Sequence, residues 1–356
     1  MKNSIFSGYF GKLHCQGIAL DLERGYIYYS FTTCLVKSDL DGNVIGTVGN
    51  ISGHLGCIAL RRRDGRIYAS LEYKRDGIGR GILEAIGRAG EEMACGFYIA
   101  IFDVDRIDRV GMDAETDGVM RTVYLPTVVA DYEGEVTACG VTRPHVFGCS
   151  GIDGVTVGPE LGSREGEYLY VAYGIYSDTE REDNDYQVIL QYDCSDWWDA
   201  VAAQHLASRM HRSGPETPRR RYFLYTGNTN YGVQNMEYDP YTGDLFLCVY
   251  RGKKPSFPNY PMYVIDGGVP ARREPLRGSP TGEEGLVLTL RKTALSEGGI
   301  SGVDFPHGST GFFAVGDGSY YVSEPCRSEE GEQGTHVRRY LLSVEDGCYR
   351  FRLAEE

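Results

Sequence analysis

Three histidines stand at the same distance ahead of a glycine, and this spacing points to a shared site. His14, His54 and His307 each lie eleven residues before a glycine that opens a strand-like run. In a closed radial fold, a repeated hairpin carrying a repeated imidazole would bring the three rings to one place. Three neutral imidazoles with an open coordination position form a catalytic metal site. The spacing therefore predicts a metal site assembled from distant parts of the chain.

Two glutamines extend the predicted ligand set. Gln16 stands two positions after the histidine column, and Gln234 stands at the same place in another copy of the hairpin. An amide oxygen can complete the coordination of a divalent ion, so Mn²⁺, Zn²⁺ or Ca²⁺ is the expected cofactor. Such an ion would polarise a carbonyl or carboxylate, or would lower the pKa of a bound water. The alternative interpretation is that the histidines hydrogen-bond to the channel backbone and to water.

Carboxylates followed by bases form a second group. Glu72 and Glu324 lie at corresponding ends of second strands, followed by Lys74 and Arg327, and Arg251 lies at a similar position in VYRGKK. Because a hairpin reverses direction, these strand ends share a face with the starts of the inner strands. We predict that Glu72 is a catalytic acid or base and that the three basic residues hold an anionic substrate. The alternative is a set of salt bridges at the rim, which would contribute little to stability.

Other polar residues near the inner strands are predicted to contact the substrate. Asp153 lies on or beside the third inner strand, and Tyr231 and Asn235 lie on the fourth. Glu324 joins this group from the fifth hairpin. His145 precedes the third inner strand by a few residues, and the sequence leaves its role open.

The elements that position these residues are repeated hairpins. Ungapped copies cover residues 16–31, 56–71, 234–249 and 309–324, and a copy with a longer turn covers residues 149–174. Further short strands with period-two alternation follow each copy, which favours an all-β fold. Four strands repeated radially are typical of a β-propeller, whose circular closure hides the strand edges.

We therefore predict one all-β domain over residues 1–356, built as a β-propeller. Five four-stranded blades are expected to begin near residues 14, 54, 148, 231 and 307, with six blades as the structural alternative. The opening residues SIFSGYF are predicted to add a closing strand to the last blade. Two short helical insertions are expected at residues 79–93 and 196–211, covering one rim of the channel or a subunit contact.

The hairpins resemble β-propeller repeat proteins over nearly the whole chain. Among enzymes of that architecture, the histidine and glutamine set resembles the metal site of oligogalacturonate lyases. That resemblance implies His14, His54, His307 and either Gln16 or Gln234 as metal ligands. Propeller lactonases are similar as well, but their Glu/Asn/Asp calcium set is not in register here.

Composition excludes several classes of partner. The formal net charge is −14 and no long basic run occurs, so a nucleic-acid partner is not expected. No run of eighteen apolar residues and no signal-peptide core is found, so neither membrane insertion nor secretion is expected. The ten cysteines have no CxxC spacing and are predicted to be reduced, with the cytoplasm as the compartment.

These features together predict a metal-assisted enzyme, a lyase or a hydrolase. The expected substrate is a small polar or sugar-like molecule, such as a sugar acid, a lactone or an oligosaccharide, bound in the central channel. The alternatives are a non-catalytic propeller that binds a carbohydrate or a protein, and a structural scaffold. The oligomeric state is not indicated by the sequence.

Overall fold

The computed structural model describes residues 1–92, 95–138 and 140–355, and it has the predicted five-bladed β-propeller architecture. Five sheets stand around a central channel. Their innermost strands contact one another in chain order, and the fifth also contacts the first, so the ring is closed. Five apolar clusters lie between neighbouring blades, and buried tyrosines such as Tyr28, Tyr170 and Tyr320 fill them.

The first two blades each contain five strands, numbered here in chain order and given from the channel outwards. The first blade consists of β2 (Cys15–Asp21), β3 (Tyr26–Phe31), β4 (Cys34–Asp39), β5 (Val44–Gly49) and β9 (Met112–Asp113). The second blade consists of β6 (His54–Arg61), β7 (Arg66–Tyr73), β8 (Gly96–Phe102), β10 (Met120–Tyr124) and β16 (Ala203–Gln204).

The third and fourth blades differ in width. The third consists of β13 (Cys149–Gly158), β14 (Tyr168–Ile175), β15 (Tyr186–Tyr192), β17 (Arg220–Tyr225), β22 (Glu284–Val287) and β21 (Arg272–Pro275). The fourth consists of β18 (Asn230–Asp239), β19 (Asp244–Tyr250) and β20 (Met262–Ile265). The sequence pattern at residues 285–290 predicts a further strand of the fourth blade, and Leu290 does pair with Ile265 of β20. The beginning of this run instead belongs to β22, which pairs in parallel with β17 of the third blade.

The fifth blade contains the closing strand that the sequence predicted. It consists of β25 (Phe312–Ala314), β26 (Ser319–Arg327) and β27 (Gln333–Glu345), with β1 (Ser4–Tyr9) and β28 (Cys348–Leu353) both paired to β27. Two separate hairpins are β11 (Glu135–Ala138) with β12 (Val141–Pro144), and β23 (Leu295–Glu297) with β24 (Ile300–Gly302).

The repeated glycine closes the same turn in three blades. The N–H groups of Gly25, Gly65 and Gly243 each donate to the carbonyl four residues earlier, at 2.8, 2.9 and 2.8 Å, and all three have φ between 65° and 76°. Glycine adopts this left-handed conformation without steric cost. The fifth hairpin differs, because there Val315 N–H donates to the carbonyl of Ser319 across a tighter turn.

β-Bulges mark the starts of four inner strands. The pairing register shifts near the beginning of β2, β6, β13 and β18, whereas the short β25 pairs with β26 without a shift. A bulge bends a strand and changes the direction of the side chains before it. A bulge therefore redirects the entry residues of the first four blades, and the inner strand of the fifth blade has no such bulge.

Both predicted insertions contain helical structure, with different bounds. The first forms α1 (Gly77–Ala85), which ends before Gly87 and Gly90, whose φ values are 76° and 85°. Met93, the last residue expected in this helix, lies outside the described residues. The second insertion is helical only over Trp197–Val201 and Ala207–Arg209, because the intervening β16 pairs with β10 of the second blade.

A third helix, α2 (Pro126–Glu133), was not predicted. It begins with proline in its first turn, where the missing N–H costs nothing. Single 3₁₀ turns occupy Val104–Arg106 and Val146–Gly148. None of the helices in the described residues has the length and apolar character of a membrane span. The nine cysteines in the described part of the chain are free, and Cys139 lies outside it.

Candidate functional site

A cavity of about 420 Å³ opens at the end of the channel where the inner strands begin, and we call it the mouth cavity. Starts of inner strands and ends of second strands line it together, as the hairpin geometry predicted. Its polar lining is His14, Gln16, Thr32, His54, Glu72, Lys74, Ser150, Asp153 and Gln234. Its other lining residues are Leu13, Gly77, Ile78, Gly81, Ile82, Tyr231 and Tyr250.

Three potential metal ligands converge on the floor of the mouth cavity. His54 Nδ1 lies 3.3 Å from Glu72 Oε1 and 3.6 Å from Asp153 Oδ1. One donor atom from each of the three residues lies within 4.8 Å of the other two. His54 and Glu72 are directly opposite each other in the β6–β7 hairpin, whereas Asp153 comes from β13 of the next blade. The group therefore joins two blades.

Two atoms of this group are buried without a well-directed hydrogen bond. His54 Nδ1 and Glu72 Oε1 lie 3.3 Å apart without a well-directed hydrogen bond to any described residue, and Glu72 Oε1 is held by an ion pair. The other Glu72 oxygen, Oε2, accepts the N–H of Ile152 at 3.0 Å. A buried polar atom whose hydrogen bonding is incomplete costs free energy, so its presence at a cavity wall indicates a place where a ligand could bind.

Lys74 forms an ion pair with the same carboxylate. Its Nζ lies 2.5 Å from Glu72 Oε1 and donates to the carbonyl of Ser150 at 3.0 Å. The side chains of Lys74 and Glu72 are 5% and 1% exposed, so the pair is shielded from solvent. Breaking such a pair by removing one partner leaves an uncompensated buried charge.

Burial and mutual charge shift the pKa values of the group. Burial raises the pKa of Glu72, but the charge of Lys74 and the contact with His54 lower it more, and it lies below its ordinary value. Burial together with the Glu72 charge raises the pKa of Asp153 to about 7. Burial lowers the pKa of His54, but Glu72 and Asp153 raise it further, to above its ordinary value. Asp153 and His54 therefore compete for a proton near neutral pH.

His14 and Gln16 lie beside this group and bond to each other. The amide Nε2 of Gln16 is 3.1 Å from His14 Nε2 and donates to Thr32 Oγ1 at 3.1 Å. Because an amide nitrogen only donates, His14 Nε2 accepts and the ring proton lies on Nδ1. Burial and the charge of His54 lower the pKa of His14, so the ring is neutral near neutral pH. His14 therefore presents an N–H donor.

Gln234 and Asn235, both on β18, have supporting contacts. Gln234 Nε2 donates to Asp153 Oδ2 at 3.2 Å and to the carbonyl of Tyr231 at 3.0 Å. Asn235 is buried, and its amide donates to the carbonyls of Gln16 and Ser309, both at 2.9 Å. Asn235 thus joins the fourth blade to the first and to the loop before β25, and it lies outside the cavity lining.

Gly151 provides the space that Glu72 occupies. A Cβ atom at this position would lie 2.0 Å from Glu72 Oε2 and 2.7 Å from the ring of Phe97. Gly151 also has a φ of 123°, which other residues rarely adopt. The position of the carboxylate therefore depends on glycine in the neighbouring blade.

The structure corrects the prediction that three histidines share one site. His307 is exposed and packs against the rings of Phe305 and Tyr340, outside the mouth cavity. It precedes β25 by five residues, and Gly308 and Gly311, with φ of 96° and 146°, interrupt the extended backbone between them. The repeat alignment was right about the sequence spacing, but the fifth inner strand starts later than the other four.

Besides Asn235 and His307, three other predicted site residues lie outside the mouth cavity. Glu324 accepts the Tyr340 hydroxyl at 2.6 Å and pairs with Arg338 at 3.2 Å. Arg251 is exposed and pairs with Asp304 at 2.5 Å, and Arg327 is exposed at the end of β26. Of the three basic residues predicted to hold an anionic substrate, only Lys74 lines the cavity.

The remaining predicted residues are brought together. Of the predicted metal ligands, His14, His54, Gln16 and Gln234 line the mouth cavity, and only His54 belongs to the converging group. Glu72 and Asp153, predicted as catalytic and substrate-binding residues, complete that group. Tyr231 lines the cavity mouth and is 39% exposed. His145 lies elsewhere, with its Nδ1 2.6 Å from the carbonyl of Tyr132.

Three parts of the cavity lining were not predicted: Thr32, Tyr250 and the cavity-facing side of α1. Thr32 directly follows β3, and Tyr250 ends β19, so both occupy the strand-end position at which Glu72 was noticed. Applying the repeat register to every second strand would have found them. The contact of α1 with the cavity had no comparable signal, since only tertiary packing places that helix.

Comparisons with known proteins give no family. No protein-family model matches the chain, and no curated protein matches its sequence. Among solved structures, the chain is similar to the calcium-binding protein regucalcin from Agrobacterium tumefaciens, with 12% identity, 97% and 98% of the two chains covered, and a TM-score of 0.35.

Two further solved structures are similar at the same level. An exo-beta-1,3-galactanase from Phanerochaete chrysosporium has 11% identity, with 98% of this chain and 67% of that chain covered and a TM-score of 0.40. The Dos1 propeller has 9% identity, with 96% and 81% covered and a TM-score of 0.33. At identities and TM-scores this low, the similarities carry no argument about substrate, metal or reaction.

Proposed function

We propose that the mouth cavity is the active site of a metal-assisted enzyme, a lyase or a hydrolase. Its substrate would be a small polar molecule with an anionic group, such as a sugar acid, a lactone or the end of an oligosaccharide. The observation that carries this proposal is the convergence of His54 Nδ1, Glu72 Oε1 and Asp153 Oδ1 at the floor of a cavity large enough for one or two sugar rings.

The donor set fits a divalent ion in chemistry and in spacing. Two ligand atoms on one such ion are roughly 3–4 Å apart, since each lies about 2.0–2.6 Å from the metal. The distances of 3.3 and 3.6 Å from His54 Nδ1 match this range. One imidazole nitrogen with two carboxylate oxygens suits Mn²⁺ or Zn²⁺ better than Ca²⁺, which prefers oxygen ligands only. His14, Gln16 and Gln234 would then support the ligands instead of serving as ligands.

When bound, the ion would supply Lewis-acid polarisation of a substrate carbonyl or carboxylate. Two carboxylates, the charged Lys74 and a divalent ion together carry a net charge of about +1, which favours an anionic ligand. Lys74 would hold the anionic group of the substrate, and the His14 Nδ1–H would donate a hydrogen bond to it. Arg251 and Arg327, which pair or lie at the surface, would have no part in this.

Metal binding to His54→Ala tests the proposal. Metal-free protein would be titrated with MnCl₂ and with ZnCl₂ by isothermal calorimetry. We expect one site per chain in the native protein and a loss of affinity of about 100-fold or more in His54→Ala. His307→Ala is the matched control, because it removes the aligned histidine outside the cavity and should bind metal like the native protein. Equal behaviour of the two variants, or no binding by the native protein, would contradict the proposal.

Turnover distinguishes an enzyme from a binding protein. Oligogalacturonate would report elimination through the ultraviolet absorbance of its unsaturated product, and a sugar lactone would report hydrolysis through acid release. We expect metal-dependent turnover of one of them, abolished in His54→Ala and retained in His307→Ala. Metal-dependent binding of both without turnover would instead favour the non-catalytic carbohydrate-binding alternative.

A further inference from the structure

Helix α1 forms one side of the mouth cavity. Gly77, Ile78, Gly81 and Ile82 line the cavity, and their spacing places them on one face of the helix. The helix is fixed in place from its N-terminus, where Asp76 accepts the N–H groups of Ile78 and Gly79 at 3.0 Å. Asp76 also accepts the hydroxyl of Tyr176 from the third blade at 2.9 Å. Asp76 therefore links the start of α1 to the third blade.

The three glycines of α1 differ in what surrounds them. A Cβ atom at Gly79 would lie 1.9 Å from the carbonyl oxygen of Lys74, so glycine is required where the helix rests on the end of β7. Apart from its chain neighbours and the backbone of α1 itself, a Cβ atom at Gly77 or Gly81 would meet no atom within 4 Å, and neither residue has a positive φ. Packing and backbone conformation therefore leave room for a larger residue at both, although glycine is unfavourable within a helix.

The space beside Gly77 and Gly81 has an apolar character. Ile78 and Ile82 border it on the helix, and Leu13 and Tyr250 also line the cavity. The polar floor lies beneath, where the buried atoms Glu72 Oε1 and His54 Nδ1 make no well-directed hydrogen bond to any described residue. A ligand that fits both regions has an anionic end and a ring with an apolar face.

We propose that α1 determines substrate specificity, with Gly77 and Gly81 leaving a slot for the ring of a cyclic carboxylic acid. The ring would pack against Ile78 and Ile82, and its carboxylate would point to Lys74 and the converging group. This inference rests on the proposed function, because it takes the polar floor to be the anion-binding end. It adds the class of substrate: ring-shaped acids are favoured over short acyclic ones.

Filling the slot tests the inference. Binding of cyclohexanecarboxylate, galacturonate and acetate would be measured in the presence of MnCl₂ for the native protein and for Gly81→Leu. The leucine suits a helix and would occupy the slot. We expect both ring acids to bind the native protein more tightly than acetate does, and Gly81→Leu to weaken the ring acids by about tenfold or more while changing acetate by less than about twofold.

Arg80→Leu is the matched control. It introduces the same side chain one residue away, where Arg80 is exposed, is not part of the cavity lining and bonds to the carbonyl of Arg75. All three acids should bind Arg80→Leu as they bind the native protein. Equal effects of Gly81→Leu on ring acids and acetate, or no effect on either, would overturn the inference. Metal titration of the same samples distinguishes failure of this inference from failure of the proposed function, since absence of metal binding in the native protein would refute the proposed function itself.

Discussion

The second and fifth blades begin from similar sequences and produce different surroundings for the same residue types. The second has His54 and the strand end SLEYK, and the fifth has His307 and the strand end SEPCR. In the second blade, His54 lies directly opposite Glu72, and Lys74 completes a buried cluster. In the fifth blade, Glu324 lies beyond the last residue paired with β25 and bonds outward to Tyr340.

The difference shows that strand register, more than residue type, decides whether a propeller hairpin contributes to the mouth cavity. The bulge in β6 turns the entry residues towards the channel, whereas β25 has three residues and no bulge. The loop before β25 still links the fifth blade to the fourth, because the carbonyl of Ser309 accepts the Asn235 amide. The fifth blade therefore supports the cavity through its backbone while its histidine and glutamate face other surroundings.

The largest expected difference between the two blades is the effect of removing the glutamate. Glu72→Ala would leave the Lys74 ammonium buried without its counter-charge and the Ile152 N–H without its acceptor. We expect a loss of about 3–5 kcal/mol in the free energy of unfolding, measured by urea denaturation. Glu324→Ala removes a partly exposed ion pair with Arg338 and the hydrogen bond from the Tyr340 hydroxyl, and it should cost only about 1–2 kcal/mol.

Glu72→Gln serves as the control for shape. Its amide oxygen can still accept the Ile152 N–H, so its free energy of unfolding should lie between those of the native protein and Glu72→Ala. It should still abolish metal binding. Similar losses for the two alanine variants would mean that the buried cluster of the second blade has no special energetic role.

A smaller effect is expected in the pH dependence of stability. Asp153 has a pKa of about 7 in the folded protein and 3.8 as its ordinary value, so the folded state holds its proton more tightly. Its contribution to stability is therefore fully present below about pH 3.8 and is lost as the pH rises towards 7. The free energy of unfolding of the metal-free native protein should fall by about 2–4 kcal/mol between these two pH values, and this fall should be absent in Asp153→Asn. Denaturation at several pH values measures both.

Metal affinity should have the opposite pH slope. Protons compete with the ion for Asp153 and His54, so the affinity of the native protein for Mn²⁺ should rise between pH 6 and pH 8. Glu324→Gln, in the fifth blade and outside the mouth cavity, should leave the pH dependence of Mn²⁺ affinity unchanged. A stability profile that stays the same in Asp153→Asn would show that this carboxyl is not protonated in the folded state.

The fold could be predicted from the sequence more completely than the site, because the fold is built from repeated hairpins and the site is not. The turn glycines, the alternating strands and the closing strand SIFSGYF recur or have clear partners, so five blades could be predicted. The site depends on local features that occur once each. These are the bulge that turns His54 towards the channel, the space left by Gly151 for Glu72, and the late start of β25, which places His307 outside the mouth cavity. A one-residue change of register moves side chains to the other face of a strand, and ungapped repeats cannot reveal it.

The shortening of the second insertion has a similar cause. Residues 196–211 carry a helical pattern, but Ala203–Gln204 pairs with β10, and the Thr122 Oγ1 lies 3.0 Å from His205 Nδ1 and 2.7 Å from His211 Nε2. These contacts come from a strand more than seventy residues earlier. Tertiary hydrogen bonds of this kind override local helix propensity, and only the folded arrangement shows them.

The smallest predicted difference concerns two aligned serines on second strands. Ser70 Oγ donates to the carbonyl of Asp153 at 2.8 Å, joining the second blade to the third, whereas Ser323 Oγ lies 2.7 Å from Thr335 Oγ1 within the fifth. Both are buried, so Ser70→Ala and Ser323→Ala should each cost about 1 kcal/mol in denaturation. Only Ser70→Ala should also weaken Mn²⁺ binding, by about tenfold or less, because it alone holds the backbone of a proposed ligand. Equal metal affinity in the two variants would show that the position of Asp153 is fixed by its side-chain contacts, such as the one with Gln234, and not by the link between blades.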